Sequence, residues 1–459
     1  MTNTKILLSV FLFLLLLTIF SLNIPFFWDS TFFSGLSVHF YENGMNGFVA
    51  PLQNDTGGFP LYSSYLTLMW KCFGKTLTVS HFAMFPFLIG VAVEFFKLAK
   101  RFLNDRTIIL AMILLLIEPV FMTQAMLMGY DIIIAYFFLL SLNALYSKRT
   151  LLYSIALILL CLISIRGIML ASALFIIDIL LNRKLDFKFF KQYIPAFLII
   201  VLWTLYHKQQ TGWYIFSPTR ENNSEQFSGA QMMLRQVVYI IWKSIDLGRI
   251  ALWIVFVFLG IYALRKKSLP QQKELIRNIF IPFVILSAFM LLIKNPIGHK
   301  YFIVVFMLLN IAVCYTIQHL KKSKEIVFVL VCLSLLAGNF IEYPQRYGNA
   351  WDSSLKVIPY FKLEDTMRAY IFKANITPDK IGTQFPLTND LKYSHLSDSS
   401  YRFTDIENAP IQTFEYFLYS NIINTNRINE LEEIKNNWVV EKELKSGMIQ
   451  LTLYKNPNF

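Results

Sequence analysis

Eleven long apolar segments dominate this chain and constrain its fold more than any other feature. A helix needs about 20 apolar residues to cross the hydrocarbon core of a bilayer, and most of these segments approach that length. The first apolar run, Ile6–Phe27, lacks an A-x-A-like cleavage site, so we expect it to be kept as a span and not removed as a signal peptide. The predicted spans are 5–25, 79–96, 107–125, 131–147, 151–164, 168–182, 192–207, 247–264, 278–294, 300–318 and 325–342.

The overall composition agrees with a membrane protein. Hydrophobic residues make up 56% of the 459 residues and charged residues only 15%, whereas about 25% of an ordinary soluble domain is charged. These values exclude a soluble enzyme, a disordered chain and a disulfide scaffold. The four cysteines form no CxxC or Cys/His pattern, so we expect neither a metal site nor a disulfide framework. The predicted fold class is a polytopic α-helical membrane protein with about 11 transmembrane helices.

The basic residues follow the positive-inside rule when the N-terminus is placed in the cytoplasm. Eighteen Lys and Arg residues then fall in the inside loops and seven in the outside loops between spans. This assignment requires the stretch 151–182 to form two short helices that meet near Arg166 and Gly167. The net charge of +13 therefore reflects membrane topology, and we expect membrane lipids, not nucleic acid, as partners.

Three polar segments remain outside under this topology: the loops 26–78 and 208–246, and the tail 343–459. We therefore divide the chain into a transmembrane domain, 1–342, and an extracytoplasmic soluble domain, 343–459. Within the tail, two runs of alternating residues flank Gly447 and predict a β-hairpin over 438–454. A small α/β or α+β domain is expected there.

The outer loop begins with a segment that predicts a short helix on the membrane surface. Asp29 and Ser30 are residue types that favour a helix N-terminus, and Gly44 favours a C-terminus. Between them, apolar residues recur at helical spacing and form one stripe: Phe32, Phe33, Leu36, Phe40 and Tyr41. An amphipathic helix of this kind lies at the boundary between water and lipid. A second juxtamembrane helix is expected over 61–73.

Three acidic residues of the outer face each have two interpretations. Asp29 either only caps the surface helix or acts as a general base that faces an outer cavity. Asp131, at the head of the fourth span, either caps that span or forms a pair of acids with Asp29. Asp55 is either a solvated turn residue or part of the same cavity.

Basic residues also converge on the outer face, namely Arg166, Arg220, Arg249, Lys294 and Lys300. Each of them either extends to the lipid headgroups or binds a lipid phosphate. Arg166 is the most constrained, because it lies between two short helices. His299 is interpreted from its sequence position as an ordinary interfacial histidine and not as a metal ligand.

The order of these motifs resembles that of GT-C glycosyltransferases, in particular the bacterial protein mannosyltransferase-like and aminoarabinose transferase-like membrane enzymes. The matching motifs, in chain order, are Trp28-Asp29, Tyr41-Glu42-Asn43-Gly44, Gly57-Gly58-Phe59-Pro60-Leu61-Tyr62, Glu118-Pro119, Asp131 and His299-Lys300-Tyr301. The pattern covers roughly residues 1–320. Each motif is short, so their shared order carries the resemblance.

This resemblance implies a hexosyl- or pentosyltransferase that takes a sugar from a polyprenyl-phosphate donor, usually with inversion. Transfer would occur on the outer face of the bacterial cytoplasmic (inner) membrane. Asp29 would deprotonate the acceptor hydroxyl, and Asp131 would be the second acid. The resemblance implies Arg166, Lys300 and Arg220 as ligands of the donor phosphate, and Tyr41, Glu42, Asp55, Tyr62, His299 and Tyr301 as lining of the substrate cavity.

The chain also departs from the family pattern. Many relatives carry two adjacent acids at the first position, where this chain has Asp29-Ser30. Position 30 therefore supplies no second acid for an acceptor or metal role, whereas the general base at Asp29 is retained. Some relatives use a divalent cation, but no set of residues in this chain predicts one.

Two other classes of function remain open from the sequence. A transporter or flippase of lipid-linked sugars would favour inverted repeats and charges in the middle of spans. The spans here are mostly uncharged at their centres, and we detect no repeat. A catalytically silent GT-C scaffold in a membrane complex is compatible with the single acid at position 29. The acceptor, whether a glycan, a lipid or a protein, and the sugar are not encoded in these motifs.

Overall fold

The computed structural model of the chain is a bundle of helices with a small sheet near the C-terminus. It describes residues 3–45, 48–49, 59–182, 186–214, 229–265, 270–292, 297–344, 349–423 and 427–459. The helices are α1 (Asn3–Ser21), α2 (Ser30–Asn43), α3 (Leu61–Phe73), α4 (Leu77–Phe102), α5 (Asp105–Ile117), α6 (Pro119–Met126), α7 (Asp131–Tyr146), α8 (Thr150–Cys161), α9 (Ile165–Asn182), α10 (Phe187–Lys191), α11 (Ile194–Thr211), α12 (Ala230–Ile245), α13 (Ile250–Arg265), α14 (Pro270–Leu292), α15 (Ile303–His319), α16 (Lys324–Gly338), α17 (Ile358–Lys373), α18 (Leu391–Ser394) and α19 (Ile428–Asn437). The strands are β1 (Ile381–Thr383), β2 (Thr404–Asp405), β3 (Tyr416–Ser420), β4 (Val439–Ser446) and β5 (Ile449–Lys455).

Several helices are long and apolar enough to cross a membrane. Within the described residues, five pass this test: α1, α4, α9, α14, and α15 together with the 3₁₀ turn His299–Phe302 that precedes it. α5 and α6 form a sixth span if they are counted together, although they are bent by 56° at Glu118. α7, α8 and α13 are apolar but shorter. Each predicted span coincides with one of these helices, with α11 or with α16. The polytopic helical fold is therefore confirmed, and the number of crossings stays a prediction.

The predicted break between two short helices lies between α8 and α9. α8 ends at Cys161 and α9 begins at Ile165, so Arg166 lies in the first turn of α9. Position 167 requires glycine, because a Cβ there would lie 1.9 Å from the carbonyl oxygen of Leu160. The absence of a side chain at Gly167 thus lets the two helix ends pack closely and fixes the position of Arg166.

The loops predicted to be cytoplasmic meet at one end of the bundle. Nε of Arg101 lies 2.7 Å from Oε1 of Glu274, which joins the end of α4 to the start of α14. Nη2 of Arg106 lies 3.3 Å from Oε1 of Glu325, which joins α5 to α16. The connection that carries Asp29 follows α1, and the tail follows α16. Both lie at the opposite end of the bundle from these ion pairs.

Both helices predicted within the loop 26–78 are present, while their position at the membrane surface stays a prediction. α2 ends at Gly44, whose φ of 81° is a left-handed conformation that glycine adopts without strain. Oγ of Ser63 in α3 donates to the carbonyl of Phe33 at 3.1 Å, and Oγ1 of Thr67 donates to that of Ser37 at 2.9 Å. These bonds hold α2 and α3 side by side, so the start of α2 is fixed against the bundle.

The tail contains a five-stranded mixed sheet in the order β2-β1-β3-β5-β4. β1 pairs in parallel with β2 and β3, whereas β5 pairs antiparallel with β3 and β4. The β4–β5 hairpin turns at Gly447, as predicted, and α17 packs on it. The small C-terminal sheet domain is confirmed, while its exact boundary in the chain stays a prediction.

The tail packs directly on the start of the outer loop. Its apolar core includes Ile24, Phe27 and Leu127 from the membrane part of the chain. The backbone N–H of Phe26 donates to the carbonyl of Ser394 at 2.9 Å. The connection between α1 and α2 is therefore held between the bundle and the sheet.

Candidate functional site

Asp29 lies in the connection between α1 and α2 and contacts the head of α15. Its side chain accepts no hydrogen bond from the first turn of α2. Instead, its Oδ2 lies 2.8 Å from Nζ of Lys300. Asp29 does occupy the N-cap position of α2, but because its side chain binds Lys300 and not the helix, the hypothesis that it only caps α2 is wrong. Ser30 stabilises the connection, because its Oγ accepts from the N–H of Phe27 at 2.9 Å.

Lys300 is buried and holds two carboxylates at once. It lies in the 3₁₀ turn at the head of α15, as the sequence predicted. Besides Asp29, its Nζ lies 2.7 Å from Oδ2 of Asp352. Burial favours the neutral form of Asp352, but the ammonium of Lys300 outweighs burial and holds the pKa of that carboxyl below its usual range.

Asp352 is the member of this site that sequence reasoning missed. It lies in the connection between α16 and α17, in the segment assigned to the soluble tail. No motif or hydrophobic period marks this position. The one available signal was indirect: a lysine at the head of a span is costly to bury and needs an acidic partner.

A second ion pair, between Asp131 and Arg166, accompanies the first. Nη1 of Arg166 contacts Oδ1 of Asp131, and Nη2 contacts the hydroxyl of Tyr130. The guanidinium also lies over the ring of Tyr301, 4.1 Å from its centroid, which is a cation–π geometry. The N-cap of α7 is Tyr130, so the alternative in which Asp131 caps this helix is wrong.

These five side chains, Asp29, Asp131, Arg166, Lys300 and Asp352, form what we call the charged cluster. Electrostatic interactions link the two ion pairs, because Asp131 interacts with the charges of both Lys300 and Asp29. Two cations and three carboxylates give the cluster a net charge of −1. The structure thus brings together four of the residues predicted from sequence and adds a fifth.

A small recess opens beside the charged cluster. Its cavity volume is about 10 Å³, which is room for a single water molecule. The lining residues are Phe27, Ser30, Gln124, Leu127, Gly129, Tyr130, Lys300 and Asp352. Charged and apolar side chains therefore meet at this recess, which is smaller than a substrate.

His299 binds a different acid, Asp246, in the connection between α12 and α13. Nε2 of His299 lies 2.7 Å from Oδ2 of Asp246. The other oxygen accepts from the hydroxyl of Tyr343 at 2.6 Å and from the N–H of Leu247 at 2.7 Å. Burial raises the pKa of Asp246, but these hydrogen bonds outweigh it and hold the pKa below its usual range. His299 is therefore a buried, hydrogen-bonded residue at the head of α15.

Arg249 is fully buried and bound to Glu118. Nε and Nη2 of Arg249 lie 2.8 Å and 2.6 Å from Oε1 of Glu118. The other oxygen of Glu118 accepts from the N–H of Phe121 at 2.7 Å and caps α6. Both alternatives for Arg249, headgroup contact and phosphate contact, are therefore wrong, because this cation stabilises the bend between α5 and α6.

Tyr62 and Tyr41, predicted to line the cavity, pack within the helices around it. Tyr62 is buried, and its hydroxyl donates to the carbonyl of Met128 at 3.2 Å. The ring of Tyr41 meets that of Trp70 edge to face, with centroids 6.3 Å apart. Both contacts position α2 and α3 next to the charged cluster.

Glu42 joins α2 to the tail, because its Oε2 lies 2.8 Å from Nζ of Lys392, the basic residue of α18. Three further candidate residues, Asp55, Arg220 and Lys294, lie outside the described residues. In the part of the chain that the structure describes, no group of three or more His, Cys, Asp or Glu side chains is arranged to hold a metal ion.

Two solved structures resemble this chain over nearly its whole length. Both are crystal structures of ArnT from Cupriavidus metallidurans, one bound to undecaprenyl phosphate and one in the apo state. The first aligns with a TM-score of 0.56 at 12% identity, the second with 0.54 at 11%, and each alignment covers 98% of both chains. ArnT is an aminoarabinose transferase with the GT-C fold. The chain therefore has a GT-C-like fold, which confirms the fold expected from its motifs.

The remaining comparisons gave no match. No family model matches the chain, and no curated protein matches it either.

Proposed function

We propose that the chain is a membrane glycosyltransferase that moves a sugar from a polyprenyl-phosphate donor to an acceptor hydroxyl, with Asp29 as the general base. The GT-C-like fold supports this class of reaction. The undecaprenyl phosphate bound to ArnT supports a lipid-phosphate donor.

The observation that carries this proposal is the accessibility of Asp29. Its side chain is 30% exposed, compared with 13% for Asp352 and 2% for Asp131. A general base must come within hydrogen-bonding distance of the proton that it takes. Asp29 offers the most surface of the three acids, whereas Asp131 and Asp352 suit roles in positioning Arg166 and Lys300.

In the proposed reaction, one bond forms at the anomeric carbon of the sugar while another breaks. The acceptor oxygen bonds to this carbon, and the bond from the carbon to the phosphate oxygen breaks. The acceptor proton passes to Asp29, and the lipid phosphate leaves with the electron pair. Attack on the face opposite the phosphate inverts the configuration. Lys300 keeps the Asp29 carboxylate in place, and Asp352 fixes Lys300 from the tail.

Asp29→Asn tests this role, because the amide keeps the size of the side chain and cannot take the proton. General-base catalysis contributes about 10²–10⁴-fold to a rate, so we expect transfer to fall about 100-fold or more. Full-length protein in nanodiscs would receive a panel of undecaprenyl-phosphate sugars and a cell-envelope extract as acceptor. The measured quantity is the rate at which undecaprenyl phosphate is released.

Asp379→Asn is the matched control, because Asp379 is an exposed residue of the tail and should leave the rate unchanged. Unchanged transfer by Asp29→Asn, at normal expression, would refute the assignment of the base. A wild-type protein that binds the donor and transfers none of the sugars would favour a silent scaffold. Movement of lipid-linked sugar across vesicles that survives Asp29→Asn would favour a transporter.

We also propose that the charged cluster opens on the extracytoplasmic side of the membrane, with the N-terminus in the cytoplasm. The excess of basic residues in the loops at the opposite end supports this orientation. The tail would then lie on the same side as the acceptor.

A further inference from the structure

The charged cluster has no spare positive charge with which to bind a phosphate. Arg166 is paired with Asp131, and Lys300 faces two carboxylates, so the cluster carries a net charge of −1. A phosphate monoester carries about 1.5 to 2 negative charges near neutral pH. It would be repelled here unless neighbouring cations compensated for it.

Two other buried lysines, Lys243 and Lys356, provide such cations. Lys243 lies in the last turn of α12, and Lys356 lies in the 3₁₀ turn that precedes α17. Each residue is only 7% exposed. Within the described residues, neither ammonium has a carboxylate oxygen within 4.0 Å. Buried lysines usually have an acidic partner, so two that have none this close in the described part of the chain indicate a place for an anion.

The immediate surroundings of both lysines are aromatic. Nζ of Lys243 lies 4.1 Å from the ring centroid of Trp242, and Nζ of Lys356 lies 4.8 Å from that of Trp351. Lys356 also donates to the carbonyl of Ile341 at 2.5 Å and to Oδ1 of Asn349 at 3.5 Å, both of which are neutral acceptors. Burial still lowers the pKa of each lysine to about 8. These contacts therefore offset only part of the lost hydration.

The charges of Lys243 and Lys356 act on each other, which places the two lysines close together. Asp246 is the acid whose charge reaches both of them, and Glu342 also acts on Lys356. Its two oxygens already accept hydrogen bonds from His299, Tyr343 and the backbone of Leu247, as described above. Lys243 also interacts electrostatically with Asp352, which locates the lysine pair beside the charged cluster. The pair therefore keeps positive charge available close to the proposed site of transfer.

We infer that Lys243 and Lys356 form a binding site for a phosphate monoester between α12 and the tail, next to the charged cluster. This inference rests on the proposed function and names the side chains that receive the leaving phosphate. A phosphate group brings nearly two negative charges and three acceptor oxygens, which match two ammonium groups. Arg166 and Lys300, the ligands first predicted, then position Asp131 and Asp29 instead.

The proposed function favours a lipid phosphate over free phosphate as the occupant, because the group that leaves in the proposed reaction is a polyprenyl phosphate. Lys243 lies on the buried face of α12, so the phosphate would be bound on the side of this helix that faces the protein.

Binding to full-length protein in phosphatidylcholine nanodiscs tests this site. The probes are undecaprenyl phosphate, undecaprenol and inorganic phosphate. Lys243→Met and Lys356→Met each remove one charge while keeping the length of the side chain. Loss of a charged hydrogen bond costs about a factor of ten or more, so the Kd for undecaprenyl phosphate should rise at least about tenfold in each variant. Undecaprenol should bind as to the wild type.

Two control variants accompany these measurements. Lys445→Met removes an exposed lysine of β4 and should change the Kd of neither undecaprenyl phosphate nor undecaprenol. Lys243→Arg keeps the charge and should retain most of the affinity for undecaprenyl phosphate, which separates loss of charge from loss of folding.

Undecaprenyl phosphate that binds equally well to both Met variants would overturn the inference. An equal loss of undecaprenol binding would also overturn it, because the lysines would then support packing alone. Inorganic phosphate that binds as tightly as undecaprenyl phosphate, with the same dependence on the lysines, would overturn the claim that the bound phosphate belongs to a lipid. These readouts do not involve transfer, so they are independent of the Asp29→Asn result, which tests the proposed function.

Discussion

At the scale of the residue, the charged cluster depends on one buried cation shared by two acids from distant parts of the chain. Lys300 loses its hydration on burial and is stable because Asp29 and Asp352 both face it. Removing either acid leaves the other in place. The loss of one acid should therefore weaken the fold without abolishing it.

Asp352→Asn should lower stability in a pH-dependent way. The folded protein holds the pKa of this carboxyl below its usual range, so its contribution is present above the unfolded pKa of about 4 and is lost as pH falls further. We expect the difference in Tm between wild type and variant to be largest near pH 7 and to shrink below pH of about 4. Thermal unfolding of the purified protein, followed by tryptophan fluorescence, measures it. Asp379→Asn should show no difference at any pH, and a pH-independent effect of Asp352→Asn would contradict the ion pair.

At the scale of the element, the sequence predicts helices and strands well because their hydrophobic periods are local. The length of the apolar runs locates the spans, and the glycines at 44 and 447 mark a helix end and a hairpin turn. The span predicted over 107–125 is in fact bent, because Pro119 cannot continue the hydrogen bonding of α5 and starts a new helix. The contacts of Asp352 with Lys300 and of Asp246 with His299 could not be predicted, since no local pattern records which distant segments meet.

Gly167→Ala should separate α8 from α9, because its Cβ would overlap the carbonyl oxygen of Leu160. Overpacking of this kind costs about 1–3 kcal/mol, and it should lower the Tm while displacing Arg166 from Asp131. Gly229→Ala is the control, because its Cβ would meet no atom within 4 Å. Equal Tm values for the two variants would show that the close contact of the helix ends is not needed.

At the scale of the whole molecule, the chain has two ends with different chemistry. Exposed ion pairs such as Arg101–Glu274 lie at one end, whereas the charged cluster, the juxtamembrane helices and the sheet lie at the other. The sequence predicted this separation from the distribution of Lys and Arg. The same distribution predicts which end faces the cytoplasm.

Cysteine labelling tests that orientation. Cys72 is the exposed native cysteine of the described residues, so Cys72→Ser removes the main background of native labelling. Ser399→Cys then adds a thiol at an exposed position of the tail. We expect a membrane-impermeant maleimide to label it in spheroplasts before lysis. Labelling that requires lysis would place the tail in the cytoplasm and reverse the proposed orientation.

The sharing of Lys300 between two acids also makes the assembly of the charged cluster depend on the order of synthesis. A ribosome delivers Asp29 early, Lys300 much later and Asp352 after the last helix of the bundle has been made. Until the tail emerges and folds, Lys300 has only one of its two counter-charges, and Ile24 and Phe27 lack the core that covers them. A chain halted after α16 would thus lose half of the counter-charge of its central cation, so the charged cluster is completed only late in biogenesis.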